Sequence, residues 1–166
     1  TLSSSQNHEL NLNHPVKELI WTGSVATATG LFTALNAGNY QLKLNGHDRF
    51  AERTLDYFTK QQVYDHHTGT PVQLSALRAA AGSGLASAVT IGVYSFALKP
   101  EEHQPSGTCN FSRIDNARLE VTTALTRTSQ AASPGGTAQS TNMNIYAVNY
   151  NVLRIMSGMG GLAYSN

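Results

Sequence analysis

Three consecutive residues, Asp65-His66-His67, combine a carboxylate with two imidazoles, which are groups that bind metal ions. Their spacing is unfavourable for that chemistry. In an extended strand adjacent side chains point to opposite faces, so His66 and His67 would rarely reach the same ion. We therefore predict a hydrogen-bonded or solvated turn at this place, with no metal and no other cofactor.

A glycine-rich segment, Gly158-Met159-Gly160-Gly161, follows a strand pattern and superficially looks like a dinucleotide-binding turn. Such a turn holds a pyrophosphate at the N-terminus of the helix that follows it. The sequence leaves too few residues after Gly161 for a helix of that kind. We expect the glycines to allow close packing or unusual backbone angles instead.

The remaining polar chemistry is dispersed. The other histidines are His8, His14, His47 and His103. A Ser-His-Asp arrangement is recognised from geometry and not from counts of residues, and no residue stands out for one here. Cys109 is the only cysteine, which excludes an intrachain disulfide and a multi-cysteine zinc site. We expect its thiol to be buried and unreactive.

The segment Lys99–Gly107 (KPEEHQPSG) has the composition of a stiff, exposed connection between two strands. Its two prolines cannot continue a central strand, its glycine allows a positive φ, and its two carboxylates need water or a basic partner. The segment either only shapes the turn or docks on a neighbouring subunit. The candidate turn or subunit-contact residues are Glu101, Glu102, Pro105, Gly107, Arg113 and Asp115.

Strands with turns between them must position these residues. Over Ala117–Leu125 apolar and polar residues alternate, which is typical of a strand with one wet face. The same alternation runs through Tyr40–Leu44, and Asn45-Gly46 predicts a tight turn directly after it. Further strands are expected around Leu10 and Leu12, at Val16–Trp21 after an extended His14 and Pro15, at Val89–Leu98 with apolar neighbours on both faces, and over Asn144–Ile155.

Other segments are not strand-like. Between Ala51 and Gln62, the residues Leu55, Phe58 and Gln62 recur at helical spacing among good helix formers, which predicts one short helix or helical turn. The small-residue segments Ala79–Ser87 and Ser129–Thr141 predict surface loops at the ends of a sandwich. Short strands separated by Gly, Pro, Asn and Ser clusters favour an antiparallel β-sandwich.

Length and charge set the class of protein. A chain of 166 residues can fold as a single domain. Charged residues make up 13% and the net charge is +1, so no charge argument favours nucleic acid or an anionic membrane as a direct partner. No apolar run approaches the ~18 residues needed to cross a bilayer, so we expect no membrane insertion.

Two dense blocks, Phe96–Leu119 and Asn144–Asn166, resemble the second jelly roll of the major capsid proteins of nucleocytoplasmic large DNA viruses. Further segments resemble that family in the family's order: Asn13–Trp21, Leu44–Phe50, Tyr57–Thr59 and Tyr64–Gly69. The resemblance implies an all-β fold, an antiparallel β-sandwich of jelly-roll type with one short helix. Residues 1–166 would form a single jelly-roll domain, the C-terminal half of a longer double jelly-roll chain.

The same resemblance implies a structural role without catalysis, so we expect no enzyme and nominate no catalytic residue. Trimeric, pseudo-hexagonal capsomers would tile an icosahedral virus shell, with the protein itself (as a homotrimer), neighbouring capsomers and minor capsid proteins as partners. The protein would reside in the virion and assemble in the host cytoplasm. The alternative is a carbohydrate- or ligand-binding jelly-roll module, lectin- or cupin-like, which would gather histidines in the barrel or expose aromatic residues in its loops.

Overall fold

A computed structural model of the chain describes residues 2–24, 38–69, 91–125 and 142–164. The predicted surface loops Ala79–Ser87 and Ser129–Thr141 lie outside these residues. Within the described part, the strands in chain order are β1 (Leu2–Glu9), β2 (Pro15–Ser24), β3 (Gly38–Leu44), β4 (His47–Asp48), β5 (Arg53–Thr54), β6 (Ile91–Ser95), β7 (Cys109–Asn110), β8 (Ala117–Leu125), β9 (Asn142–Asn149), β10 (Leu153–Met156) and β11 (Met159–Leu162).

The first sheet, called sheet one, has the strand order β1-β8-β3-β4, with β5 also pairing with β3. All of these pairings are antiparallel. On β8 the residues Ala117, Leu119 and Val121 are buried, while Arg118 and Glu120 between them are partly exposed. The predicted strand with one wet face is therefore confirmed.

The second sheet, called sheet two, is built around β2. Val16 pairs with Cys109 on β7 and with Asn149 on β9, so β7 and β9 lie along opposite edges of β2. β6 pairs with β2 antiparallel beyond β7, on the same edge. A register shift between Val16 and Glu18 marks a β-bulge, and its extra residue lets Val16 and Leu19, three positions apart, both be buried in the core.

The core lies between the two sheets and is rich in aromatic rings. Trp21 of β2 packs on Tyr40 of β3, with ring centroids 5.7 Å apart, and on Phe58 at 5.0 Å. All three side chains are essentially inaccessible to water. Burial of large apolar side chains from both sheets against one another is what holds a sandwich together.

The predicted short helix is confirmed, displaced towards the C-terminus. A π-helical turn, Tyr57–Gln61, continues into helix α1, Gln62–His66. The residues whose spacing predicted a helix are the ones it buries: Leu55, Phe58 and Gln62. None of the helices in the described residues is long and apolar enough to cross a membrane.

The turn after β3 is also confirmed. β3 ends at Leu44, and Asn45 and Gly46 have φ values of +51° and +81°. Positive φ at both central residues is the geometry that matches the twist of two antiparallel strands. The side-chain oxygen of Asn45 accepts hydrogen bonds from the backbone N–H groups of Asp115 and Asn116, at 3.0 and 3.1 Å.

Two expectations near the start of the chain are wrong. Leu10 and Leu12 follow β1 and are not part of a strand, although Leu10 is buried and its N–H donates to the Ala117 carbonyl at 2.9 Å. His14 is not extended but has a φ of +68°. Its N–H donates to the Ser112 hydroxyl at 2.8 Å, a tertiary contact that outweighs the local bias imposed by Pro15.

The strand expected over Val89–Leu98 is shorter, since β6 ends at Ser95 and the chain bends. Val93 and Tyr94 are buried on opposite faces, as predicted for the middle of this segment. At its ends the expectation is wrong, because Ile91 is 54% exposed and Leu98 is 72% exposed.

The single long strand expected over Asn144–Ile155 is wrong. β9 ends at Asn149, and β10 begins a separate hairpin with β11. Between them the Asn151 side chain accepts from the Val152 N–H at 2.7 Å and donates to the Tyr164 carbonyl at 2.9 Å. An asparagine that bonds to nearby backbone in this way competes with the strand ladder and ends it.

Candidate subunit-contact surface

The connection Lys99–Gly107 is held in shape by its own hydrogen bonds. The Lys99 N–H donates to the Ser106 hydroxyl at 2.9 Å, and the Lys99 ammonium pairs with Glu102 at 3.1 Å. Gly107 has a φ of +144°, and a Cβ on it would lie 2.8 Å from the Phe96 carbonyl oxygen. The predicted need for glycine is therefore confirmed, because both the backbone angle and the space require it.

Glu101 anchors this connection to the end of the helix. Its carboxylate accepts from the Thr68 hydroxyl at 2.7 Å, from the Thr68 N–H at 3.3 Å, and from His67 Nδ1 at 3.0 Å. These hydrogen bonds, led by the one from the Thr68 side chain, lower the pKa of the Glu101 carboxyl. We expected each of these adjacent carboxylates to lie near water or a basic partner. Glu101 lies beside His67, and Glu102 lies beside Lys99.

The other ring nitrogen of His67 faces a buried carboxylate on sheet two. Nε2 of His67 lies 3.1 Å from Oε2 of Glu18, whose side chain is only 9% exposed. The two atoms are at ion-pair distance but are not aligned for a hydrogen bond. His67 therefore lies between Glu18 of β2 and Glu101 of the loop, and it links the sheet, the helix end and the loop.

Asp65-His66-His67 is the end of helix α1 and not a separate turn as predicted, but the two histidines are hydrogen-bonded as expected. His66 Nδ1 lies 3.1 Å from the Leu98 carbonyl oxygen, and the His67 N–H donates to the Val63 carbonyl at 2.9 Å. The two imidazoles thus serve different partners. Across residues 2–24, 38–69, 91–125 and 142–164, no group of three or more metal-binding side chains gathers at one point.

Arg113 and Asp115 lie in an exposed turn on the far side of β7. This 3-10 turn, Phe111–Arg113, is capped by the Asn110 side chain, which accepts from the Ser112 N–H at 3.1 Å. Within the described residues, no hydrogen bond or ion pair joins Arg113 or Asp115 to the Lys99–Gly107 connection.

The status of the six candidate residues follows from these positions. Glu101, Glu102, Pro105, Gly107, Arg113 and Asp115 are all exposed. The turn-shaping role of Gly107 and the anchoring role of Glu101 are visible in the structure. Contact with another subunit stays a prediction for all six.

Cys109 is half-buried on β7, next to the core. Burial raises the pKa of its thiol, so the thiolate that would react is disfavoured. This agrees with the expectation of an unreactive side chain.

The glycine-rich segment forms the tip and second strand of the β10–β11 hairpin. Ser157 and Gly158 have φ values of +50° and +80° and make the turn. Gly160 and Gly161 lie in β11; a Cβ on Gly160 would meet Ile155 at an ordinary contact distance of 3.9 Å, and a Cβ on Gly161 would project into open space. The unusual backbone angles expected here are confirmed at Gly158, but close packing of these glycines is not seen.

The sequence of residues 86–161 matches the profile of the family described as large eukaryotic DNA virus major capsid protein. The chain is 47% identical to the major capsid protein of Pyramimonas orientalis virus, over 99% of this chain and 40% of that protein. It is 42% identical to the major capsid protein of Paramecium bursaria Chlorella virus 1, over 100% of this chain and 44% of that protein.

Two solved structures are similar to this chain in both fold and sequence. A crystal structure of PBCV-1 VP54, fitted into a reconstruction of the virophage Sputnik, matches with a TM-score of 0.68 and 38% identity, over 100% of this chain and 47% of that one. A quasi-atomic model of the PBCV-1 virus capsid matches with a TM-score of 0.66 and 38% identity, over 98% of this chain and 46% of that one.

These likenesses confirm the predicted all-β sandwich of jelly-roll type with one short helix. The chain spans less than half the length of the curated relatives it matches. The chain belongs to the family of major capsid proteins of large eukaryotic DNA viruses.

Proposed function

We propose that this chain is a jelly-roll domain of the major capsid protein of an icosahedral large DNA virus, in which trimeric, pseudo-hexagonal capsomers tile the shell. The observation that carries the proposal is the match, over the whole chain, to the PBCV-1 VP54 fold at 38% identity. At that identity the backbone and most of the core are expected to be shared, and a structural role depends on both.

The architecture suits a building block. Two sheets bury their apolar faces against each other, and the loops at the ends of the sandwich are free to differ without cost to the core. Assembly of a shell depends on many modest contacts repeated by symmetry, so it requires no catalytic centre. We therefore propose a non-enzymatic role for the whole protein. No cluster of described residues favours the alternative of a lectin- or cupin-like module.

Residues 1–166 are proposed to form the C-terminal one of two jelly rolls in a longer chain. The support is that relatives match along 99–100% of this chain but only 40–44% of their own length. A second domain of similar size would account for the remainder. In that arrangement the protein resides in the virion after assembly in the host cytoplasm, and it contacts other copies of itself, neighbouring capsomers and minor capsid proteins.

The exposed residues of the Lys99–Gly107 connection and of the Phe111–Arg113 turn are proposed contacts within this assembly. Glu101 is already engaged by His67 and Thr68, which fixes the connection before any partner arrives. A connection that is rigid in the free subunit loses little conformational entropy on docking. Arg113 and Asp115 would then supply charged groups at a second contact.

The mass and outline of the full-length protein test the proposal. We expect light scattering to give three times the mass of one chain over a range of concentrations, and negative-stain images to show six-sided particles. A monomer at every concentration, or a monomer that retains bound glycan or metal, would refute the capsomer proposal and favour the binding-module alternative.

A further inference from the structure

The tip of the β10–β11 hairpin carries two of the three methionines of the chain. Met156 is the last residue of β10 and Met159 is the first residue of β11, and the hairpin register places them directly opposite each other. Directly opposed residues of an antiparallel pair project from the same face, with Cβ atoms roughly 5 Å apart. The two thioether side chains therefore lie on one face of the hairpin, next to each other.

Both of these side chains are open to solvent. Met159 is 75% exposed and Met156 is 54% exposed. The turn between them, Ser157-Gly158, gives no cover, because a Cβ on Gly158 would meet nothing within 4 Å. A small reagent in solution can therefore reach either methionine without any movement of the chain.

The same part of the hairpin forms a shallow cleft of about 200 Å³, lined by Arg154, Met156, Met159, Gly161 and Leu162. Gly161 lies opposite Arg154 in the register, and a Cβ on it would meet open space, so the missing side chain leaves room beside the methionines. A cleft of this size admits several molecules as small as water or hydrogen peroxide. Among the lining side chains only the two thioethers carry a nucleophilic lone pair, because a guanidinium stays protonated.

The third methionine provides an internal reference. Met143 lies on β9 opposite Gly23 of β2, and it is partly buried against the core. The three thioethers are chemically identical and belong to one chain, so they differ only in their surroundings. A faster reaction at the tip would therefore result from its place in the fold and not from the residue type.

We propose that Met156 and Met159 form an oxidation site, at which a peroxide converts one or both thioethers to sulfoxides. The Sδ lone pair attacks one oxygen of hydrogen peroxide, and the S–O bond forms as the O–O bond breaks. The sulfur loses two electrons to the departing oxygen, which also takes the proton of the transferred oxygen and leaves as water. Peroxide from solution is the only co-reactant that the step requires.

Oxidation would change what the hairpin tip presents to its surroundings. A sulfoxide is polar and accepts hydrogen bonds, whereas a thioether is apolar. Neither methionine is buried, so the added oxygens displace no core side chain and the hairpin can keep its backbone pairing. Methionine sulfoxide reductases reverse the reaction. The tip is thus a reversible redox switch between an apolar and a polar surface, and this inference does not depend on the proposed capsomer.

The test measures the oxidation rate of each methionine in the full-length protein. The folded protein is treated with excess hydrogen peroxide, samples are quenched with free methionine at intervals, and sulfoxides are assigned by peptide mass spectrometry. Trypsin cleavage after Arg154 separates the tip from Met143, and fragment spectra distinguish position 156 from position 159. We expect the rate constants at Met156 and Met159 to exceed that at Met143 at least about fivefold.

The matched control is the same protein unfolded in guanidinium chloride, in which all three methionines are exposed. There we expect the three rate constants to agree within about twofold, because the fold no longer protects Met143. A difference that persists in the unfolded chain would overturn the assignment of the selectivity to the fold.

A variant tests the change of surface. Met156→Leu combined with Met159→Leu keeps the volume and the apolar character of the tip but cannot accept oxygen. We expect peroxide to shorten the retention of the original protein on a phenyl column, and the reductases to restore it. The variant should show no such shift, and circular dichroism should show the same fold before and after treatment.

One result in the folded protein would overturn the inference directly. If Met156 and Met159 react no faster than Met143, the tip is not the preferred site of oxidation. The capsomer proposal would stand after that result, because it is tested by the mass and outline of the particle.

Discussion

His67 makes two carboxylates from distant parts of the chain depend on one imidazole. Glu18 on β2 and Glu101 on the Lys99–Gly107 connection lie on opposite sides of the ring, at 3.1 and 3.0 Å. Glu18 is buried, so loss of the imidazole would leave its carboxylate without this polar neighbour. The position of the connection is therefore set by contacts of His67 and Thr68 with Glu101 as well as by its prolines.

The lowered pKa of Glu101 means that its contacts with Thr68 and His67 stabilise the fold less as the pH falls. Hydrogen bonds from Thr68 and His67 hold the pKa below its ordinary value of 4.5 in the folded protein. The carboxylate therefore stabilises the fold above that ordinary value, and this contribution is lost as the pH falls through the lower, folded pKa. We expect Glu101→Gln to lower the unfolding temperature at pH 7 and to have a much smaller effect near pH 3.

Thermal unfolding of the full-length protein across this pH range checks the prediction. Glu102→Gln is the control, because Glu102 pairs only with the exposed Lys99 among the described residues, and such pairs contribute little. An effect of Glu101→Gln that is the same at pH 3 and pH 7 would show that the anchor does not depend on the carboxylate charge.

Gly92 is required by the largest ring in the core. A Cβ at this position would overlap the indole of Trp21, which lies opposite it on β2 and is 2% exposed. The indole is confined by Tyr40 and Phe58 and cannot move aside cheaply. We expect Gly92→Ala to destabilise the fold by about 1–3 kcal/mol, the usual cost of an overpacked core.

The prediction is checked by comparing the urea unfolding midpoint of Gly92→Ala with that of the control Gly161→Ala. Gly161 is also in a strand, but a Cβ there meets open space. Equal stability of the two variants would mean that the core around Trp21 is looser than the structure shows.

Arg113 tests the proposed contact between subunits at the residue scale. The side chain is exposed in a short turn, so Arg113→Glu should leave the fold unchanged. If Arg113 faces an acidic or polar group of a neighbour, reversal of its charge should raise the concentration needed for assembly roughly two- to fivefold. Sedimentation velocity over a dilution series, with Lys60→Glu as the control on the helix, measures this; no difference between the variants would remove Arg113 from the contact.

Among the secondary-structure elements, the β3–β4 hairpin depends most clearly on local geometry. Gly46 has a φ of +81° in a turn where a Cβ would meet no neighbour, so strain and not crowding opposes any other residue. We expect Gly46→Ala to cost about 1–2 kcal/mol. Gly69→Ala is the control, since Gly69 also has open space but no positive φ. Chemical unfolding of both variants measures this difference in stability. Equal unfolding midpoints would contradict the turn assigned to Asn45 and Gly46.

Elements with a clear period were predictable from the sequence. β3 and β8 alternate apolar and polar residues, one face of each is buried, and the turn after β3 follows from Asn45-Gly46. In the helical segment, the spacing of Leu55, Phe58 and Gln62 identified the buried face although the boundaries shifted. In each case local pattern and tertiary burial agree.

Elements that depend on long-range contacts were not predictable. In residues 144–155 the sequence pattern places Tyr146, Val148 and Tyr150 on one face, yet the strand ends at Asn149, shortly before Asn151 bonds to the Val152 N–H and the Tyr164 carbonyl. β1 is polar along most of its length and is recognised only by its pairing with β8. His67 looked like half of a poor metal site, because its partners Glu18 and Glu101 are remote in sequence.

For the whole molecule, the two outer faces differ in a way that matters for assembly. Sheet one presents ion pairs such as Lys43–Glu120 to solvent, whereas sheet two and the β10–β11 hairpin present large apolar side chains. Exposed apolar surface of this kind marks an interaction site. It is compatible with the proposed role as a building block, in which other parts of the assembly would cover it.

A cryo-electron microscopy reconstruction of the full-length protein after gentle purification tests the central claim most directly. We expect a six-sided particle made of three copies, each with two jelly rolls, in which residues 1–166 form the C-terminal one. A particle with a single jelly roll per chain, or a lone subunit at every concentration, would contradict the proposed function.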